Sequence, residues 1–210
     1  LEWQKTLDRN IGLDLVVFNN RLRVNFDYFS KKTDPLLVYT GVPSSTGGTS
    51  VPANVGGQVT KGYTVVLNYA LLKKEHLLWQ VNATLRHLTS EYRNVSAYLS
   101  RFNDENKTKN MLRYYDGGSP SDLWAVRSAG IDAATGREIF LHKDGTQSFA
   151  YNVEDEVVVG NSDPKLEGVV GMSFYYKGFS CNFYWRYSFG ADAFNRTVYS
   201  KVENISKESL

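Results

Sequence analysis

The sequence predicts an all-β fold: an antiparallel up-and-down transmembrane β-barrel segment, about six strands in three hairpins, with long extracellular loops. Three observations predict it. Apolar and polar residues alternate at period two along paired runs, the turn inside each pair is tight, and every long connection falls at the opposite end from those turns.

Residues 1–33 read as barrel hairpin 1. Ile11, Leu13, Leu15 and Val17 alternate with Asn10, Gly12 and Asp14, and Asn19-Asn20 tolerate the positive φ angles of a type I′ turn. The return run sets Leu22, Val24, Phe26 and Tyr28 against Arg23, Asn25 and Asp27. Closing the turn places Val17 opposite Leu22, Leu15 opposite Val24, Leu13 opposite Phe26 and Ile11 opposite Tyr28, so one face is wholly apolar.

Residues 34–58 carry Pro35, Pro43, Pro52 and a Ser/Thr/Gly run from Ser44 to Ser50, and read as an extracellular loop. Hairpin 2 occupies 59–90: Tyr63, Val65, Leu67, Tyr69 and Leu71 lead to a turn through Lys73-Lys74-Glu75, and Leu77, Trp79, Val81, Ala83 and Leu85 return. Residues 91–164 form a large, polar extracellular excursion with strand signals around Leu123 to Arg127 and Glu138 to His142. Trp124, Ile131, Ile139, Phe140 and Phe149 are its expected small core.

Hairpin 3, residues 165–192, alternates most cleanly. Val170, Met172, Phe174 and Tyr176 precede the Lys177-Gly178 turn, and Phe179, Cys181, Phe183, Trp185, Tyr187 and Phe189 follow it. Residues 193–210 begin the next extracellular loop.

All three tight turns fall on one side of this topology and both long loops on the other, which is the arrangement of outer-membrane barrels. Runs of about a dozen residues exceed the five or six usual in globular sheets and suit a tilted crossing of roughly 9–11 residues. The competing reading is a soluble extracellular β-sandwich that binds glycan. It requires the apolar stripes to be buried against one another.

Composition narrows the function classes. The 210 residues carry a formal charge of +2, too little for a nucleic-acid footprint. Aromatics reach 14%, an enrichment suited to sheets and to interfacial girdles. Tyr69, Trp79, Tyr176 and Phe179 fall near the tight turns, and Tyr28, Tyr63, Tyr187 and Phe189 near the opposite end. No apolar run of about 18 residues encodes a spanning helix, which a barrel does not need. Leu1-Glu2-Trp3-Gln4 lacks the pattern of a signal peptide, and the expectation is a piece of a longer chain.

Motifs spread along nearly the whole chain resemble the SusC/RagA family of TonB-dependent outer-membrane transporters. They include Leu1-Glu2-Trp3-Gln4-Lys5-Thr6, Asn10-Ile11-Gly12-Leu13-Asp14, Phe18-Asn19-Asn20-Arg21-Leu22 and Asp27-Tyr28-Phe29. Lys32-Thr33-Asp34, Pro43-Ser44-Ser45-Thr46-Gly47, Asn54-Val55-Gly56, Gly130-Ile131-Asp132 with Thr135-Gly136, and Gly160-Asn161-Ser162-Asp163-Pro164 continue the order. Trp3-Gln4 departs from the family's usual Trp-Glu. The resemblance implies a barrel of roughly 22 strands in the full protein, with an N-terminal plug that engages TonB and a SusD-like lipoprotein lid. It further implies import of oligosaccharides or peptides across the outer membrane of a Gram-negative bacterium, in contact with outer-membrane lipid. No enzyme activity or cofactor is implied.

The candidate functional residues follow from which face is which. If the apolar stripes meet lipid, Asp14, Arg23, Asn25, Asp27, Asn68, Asn82, Arg86, Asn182, Tyr184 and Arg186 line the lumen or the solute path. In the loops, Tyr39, Tyr114, Tyr115 and Trp124, and also Tyr92 and Tyr98, are candidates to stack on a solute or meet a partner. His76, His87 and His142 lack the spacing of a zinc site, and Asp132, Asp144, Asp155 and Asp163 sit where Asx turns account for them. No catalytic, cofactor or metal residues are expected.

Overall fold

The computed structural model describes residues 1–42, 45, 47–48, 50–95, 99, 102–104 and 113–198. Hairpin 1 forms β1 (Thr6–Val17) and β2 (Leu22–Thr33), paired in the register its turn predicts. Asn19 and Asn20 hold φ of 53° and 63°, and the Arg21 N–H donates to the Phe18 carbonyl at 3.1 Å to close the turn.

The next segment carries strands that its composition does not signal. Within 34–58, β3 (Leu36–Gly41) and β4 (Ser50–Val55) pair as an antiparallel ribbon. Pro52 lies within β4 opposite Tyr39. A two-stranded ribbon accommodates it because the proline's missing N–H can face the unpaired edge.

Hairpin 2 consists of β5 (Gly57–Lys74) and β6 (Leu77–Arg93), 18 and 17 residues long, so the strands run past both expected ends. The alternation also slips once. A bulge between Ala70 and Leu72 lifts Leu71 out of the ladder, and Leu72 takes its place on the apolar stripe opposite Trp79. Lys74 then faces Leu77, which moves the turn to Glu75-His76.

The excursion contributes β7 (Asp122–Ile131), β8 (Glu138–Leu141), β9 (Gln147–Ser148) and β10 (Glu156–Asn161), a four-stranded sheet in the order β10-β7-β8-β9. Hairpin 3 returns as β11 (Leu166–Tyr176) and β12 (Phe179–Phe189), turning at Lys177 and Gly178 with φ of 44° and 91°. Tyr176 meets Phe179, Phe174 meets Cys181 and Met172 meets Phe183, as the two-residue turn requires.

The three long hairpins join into one six-stranded antiparallel sheet, β1-β2-β5-β6-β11-β12. Each strand in it neighbours the next in the meander, and the excursions leave from the end away from the tight turns. Its apolar face has no second layer among the described residues: Ile11, Phe183 and Trp185 are 71%, 59% and 68% exposed. A β-sandwich would bury these side chains, so the sandwich reading fails on its own requirement.

The buried core lies elsewhere. Val55, Tyr92, Val95 and Leu99 pack together, with Leu36, Val38, Ala53, Phe102 and Tyr114 against them, tying the β3–β4 hairpin to the end of β6. The expected core of the excursion does not form as a unit. Ile131 and Phe149 are left in solvent: Ile131 is the last residue of β7, opposite Glu138 at the end of the β7–β8 ladder, and Phe149 lies under the guanidinium of Arg137, 5.0 Å from its ring centre. Trp124 instead stacks on Tyr115 with ring centres 4.7 Å apart, and Phe140 meets Tyr151 edge-on at 5.4 Å.

Candidate functional site

The register of the large sheet gathers the ten polar-face candidates into adjoining rows. One row runs Arg23, Asn68, Asn82, Gly171, Tyr184 across β2, β5, β6, β11 and β12. A second runs Asp14, Asn25, Val66, Thr84, Val169, Arg186, and a third runs Gly12, Asp27, Thr64, Arg86, Glu167, Ser188. Asn182 lies opposite Ser173, which faces Gln80 on its other side. Residues as far apart in sequence as Gly12 and Ser188 thus share one surface only because consecutive hairpins add to the sheet in phase.

Within these rows the groups pair selectively. The Asn25 amide donates to the Asp14 carboxylate across the β1–β2 ladder. Arg86 and Glu167 form an ion pair at 3.5 Å between β6 and β11. Both side chains are nearly half exposed, so the pair is worth on the order of 0.5 kcal/mol. At Gly171 the missing side chain leaves room that Asn82 Oδ1 and the Tyr184 ring occupy, so a Cβ there would collide with both. The glycine lets two polar side chains from flanking strands lie flat on the wall.

Glu167, Ser173, Asn20 and Arg21 belong to this surface but are absent from the sequence-predicted set. Glu167 stands 81 positions from its partner Arg86, and no local period signals such a pair. The Asn20, Arg21, Arg23, Asn68, Gln80 and Asn82 side chains, with Ser173, line a concavity of about 360 Å³ at the tight-turn end.

The loop candidates divide. Tyr39 is well exposed on β3 at 65%. Tyr115 and Trp124 form the stacked pair described above, with Tyr115 still 39% exposed. Tyr114 points the other way, into the core: its ring packs against Tyr92 at 5.3 Å and Phe102 at 5.1 Å, and burial pushes its phenol pKa up. Tyr92 is likewise part of that core. Tyr98 lies outside the described residues.

The remaining titratable groups serve local structure. Asp132 accepts from the Thr135 hydroxyl at 2.5 Å and backbone N–H at 3.1 Å, and Asp144 accepts from the Thr146 hydroxyl at 2.7 Å. These hydrogen bonds hold both carboxyls below the ordinary carboxylate value. His142 Nδ1 lies 2.6 Å from Asp155, and His87 Nδ1 lies 2.6 Å from the Lys165 carbonyl. Among the described residues no group of three or more His, Cys, Asp or Glu converges as a metal site.

No family model matches the chain. Two TonB-dependent receptors of Formosa agariphila, P39 and P3, are 22% and 25% identical to it, over 92% and 94% of this chain and 23% and 22% of their own. The TonB-dependent receptor SusC of Bacteroides thetaiotaomicron is 26% identical over 78% of this chain and 14% of its own. The solved structure of the RagAB peptide importer in its closed-closed state matches with a TM-score of 0.76 at 23% identity, covering 91% of this chain and 22% of that one. The chain spans about a fifth of the length of the relatives it matches.

The fold and these relatives define the class: the six-stranded sheet is a segment of an antiparallel up-and-down transmembrane barrel, similar to the barrels of TonB-dependent receptors. Among such proteins the likeness is to the SusC/RagA type. None of these relatives is named as an enzyme.

Proposed function

We propose that this chain forms part of the wall of a TonB-dependent importer in the outer membrane of a Gram-negative bacterium, moving oligosaccharides or peptides with a SusD-like lipoprotein as lid. The observation that carries the reading is the uncovered, two-faced sheet. Its apolar side is exposed along all three hairpins, and its polar side carries the rows around Asn25, Asn68 and Asn82. Lipid is the solvent that makes such a face favourable, since the apolar side chains then leave water and the ladder satisfies the interior backbone groups.

On this reading the 1–33, 59–90 and 165–192 hairpins cross the membrane and their tight turns face the periplasm. The loops at 34–58, 91–164 and 193–210 face outward, where Tyr39, Tyr115 and Trp124 meet solute or lid. The polar rows line the lumen or meet the plug. The peptide reading draws support from the similar structure, that of the RagAB peptide importer.

The test is fractionation and uptake with the full-length protein. It should be recovered from the outer membrane together with a lipoprotein partner, and deleting its gene should abolish uptake of one labelled peptide or oligosaccharide in a TonB-dependent way. Recovery from the soluble fraction, or unchanged uptake of every candidate solute, would refute it.

A further inference from the structure

Charge is distributed unevenly along the polar face. Its carboxylates, Asp8, Asp14, Asp27 and Glu167, lie in the rows toward the loop end. Asp14 is bonded to Asn25 and Glu167 is paired with Arg86. Past the Asp14 row toward the tight turns, the ladder rows contain no carboxylate among the described residues. Those rows hold Arg23, with Arg21 at the turn beside it, and the carboxamides of Asn68, Gln80 and Asn82.

Both arginines line the concavity of about 360 Å³, and neither guanidinium has an acidic partner among the described residues. An arginine presents a planar fork of donors that matches an oxyanion in two-point geometry, and the pairs that result are stronger than neutral hydrogen bonds. The carboxamides beside them offer both donors and acceptors, which suit the amides or hydroxyls next to such a charge. The concavity is therefore built for a group with a negative charge and neutral polar neighbours.

We infer that Arg21 and Arg23, with Asn68, Gln80 and Asn82, form an oxyanion-binding site at the tight-turn end of the polar face, and that the solute passing it carries a carboxylate or sulfate. The inference rests on the polar face being the lumen wall. It deepens that reading by assigning a charge class to the solute. The rows toward the loop end, with their acids already paired or spread among hydroxyls, present no comparable unpaired cation pair next to an acid-free surface. A solute moving along the wall then meets its strongest anion contact at the end of the path.

The experiment uses the purified full-length receptor in detergent, with two probe pairs at matched ionic strength: sodium sulfate against sodium chloride, and digalacturonate against the neutral digalactoside. Sulfate and digalacturonate should raise the midpoint of thermal unfolding while their counterparts do not. Arg23→Gln should weaken the apparent affinity roughly tenfold, and Arg21→Gln with Arg23→Gln should abolish the response. Arg127→Gln, on β7 and outside both the polar face and the concavity, serves as a control that keeps it.

Equal responses to charged and neutral probes, or a response that survives the double substitution, would overturn the site. A wild-type protein that ignores both anions yet unfolds earlier in Arg23→Gln would assign the arginines to a carboxylate elsewhere in the receptor's own chain, and would overturn the solute assignment. Recovery of the receptor outside the outer membrane would refute the importer reading separately, since the titration reads anion binding wherever the protein resides.

Discussion

The Tyr187 hydroxyl donates to the Thr84 carbonyl at 2.9 Å, reaching from β12 to β6 across the strand between them. It passes over Gly168 of β11, where a Cβ would strike both the Thr84 carbonyl and the Tyr187 oxygen. Three strands are thereby locked in register at one point, on the face that carries Val170 and Trp185. Gly168→Val should force the strands apart at a cost of about 1–3 kcal/mol, and Tyr187→Phe should cost about 1 kcal/mol. Urea midpoints of the full-length barrel refolded into lipid vesicles measure both. Equal midpoints for wild type and Gly168→Val would show that the contact does not hold the register.

Neighbouring residues on opposite faces of β12 give the sharpest test of which side meets lipid. Phe183 faces Met172 on the apolar stripe, and Asn182 faces Ser173 on the polar side. Arginine at 183 should destabilise the barrel by about 2–4 kcal/mol if the position lies near the bilayer midplane, whereas arginine at 182 should change little. Folding yield in vesicles, read by the heat-modifiable shift on gels, separates the two. Comparable losses at both positions would count against a lipid-facing stripe.

The excursion depends on a pair that is far apart in sequence. Arg113 donates through Nε and Nη2 to the two oxygens of Glu156, at 2.9 and 2.8 Å, with the arginine side chain only 1% exposed. Arg113→Met would leave Glu156 without its buried counter-charge, and the expected loss is about 3–5 kcal/mol. Hydrogen exchange of the β10 amides should rise in the single variant and largely recover in Arg113→Met with Glu156→Met. Unchanged protection in the single variant would contradict a structural role.

Acid should loosen a second point of the excursion. Asp155 sits below the ordinary carboxyl value of 3.8 because the His142 Nδ1–H hydrogen-bonds its Oδ2, against the opposing effect of burial and with help from the Lys143 N–H. A carboxyl depressed by folding stabilises above its unfolded value, and that contribution is lost as pH falls through the folded one. The turn from His142 to Asp155 should therefore stay ordered at neutral pH and open below 3.8. Asp155→Asn should remove this acid transition, as followed by the histidine ring resonances; a transition that persists unchanged would place its origin elsewhere.

Much of this architecture is legible locally. Asn19-Asn20 and Lys177-Gly178 each specify a two-residue turn, and period-two alternation then dictates every pair from Val17–Leu22 to Met172–Phe183. The ten polar-face residues were legible for the same reason, because a side chain's face follows from its parity along the strand. Reading failed where parity breaks or where partners are remote. The bulge beside Ala70 moves Leu72 onto the stripe, and the β3–β4 hairpin forms despite Pro52 because its edge lies open.

The sequence by itself therefore determined the three hairpins, their turns, their registers and the two chemistries of their faces, since each arises between residues that are neighbours along one local ribbon. Only the tertiary structure decided how the hairpins add side by side, and hence that Arg86 meets Glu167, that Tyr187 reaches Thr84, and that Arg21 and Arg23 share an acid-free concavity with Asn82. It also decided that the core forms from Tyr92, Val95 and Leu99 against Val55 of β4 rather than from Trp124, Ile131, Ile139, Phe140 and Phe149. Such contacts close loops of many residues, and chain entropy makes their choice depend on the packing of the whole sheet rather than on any local period.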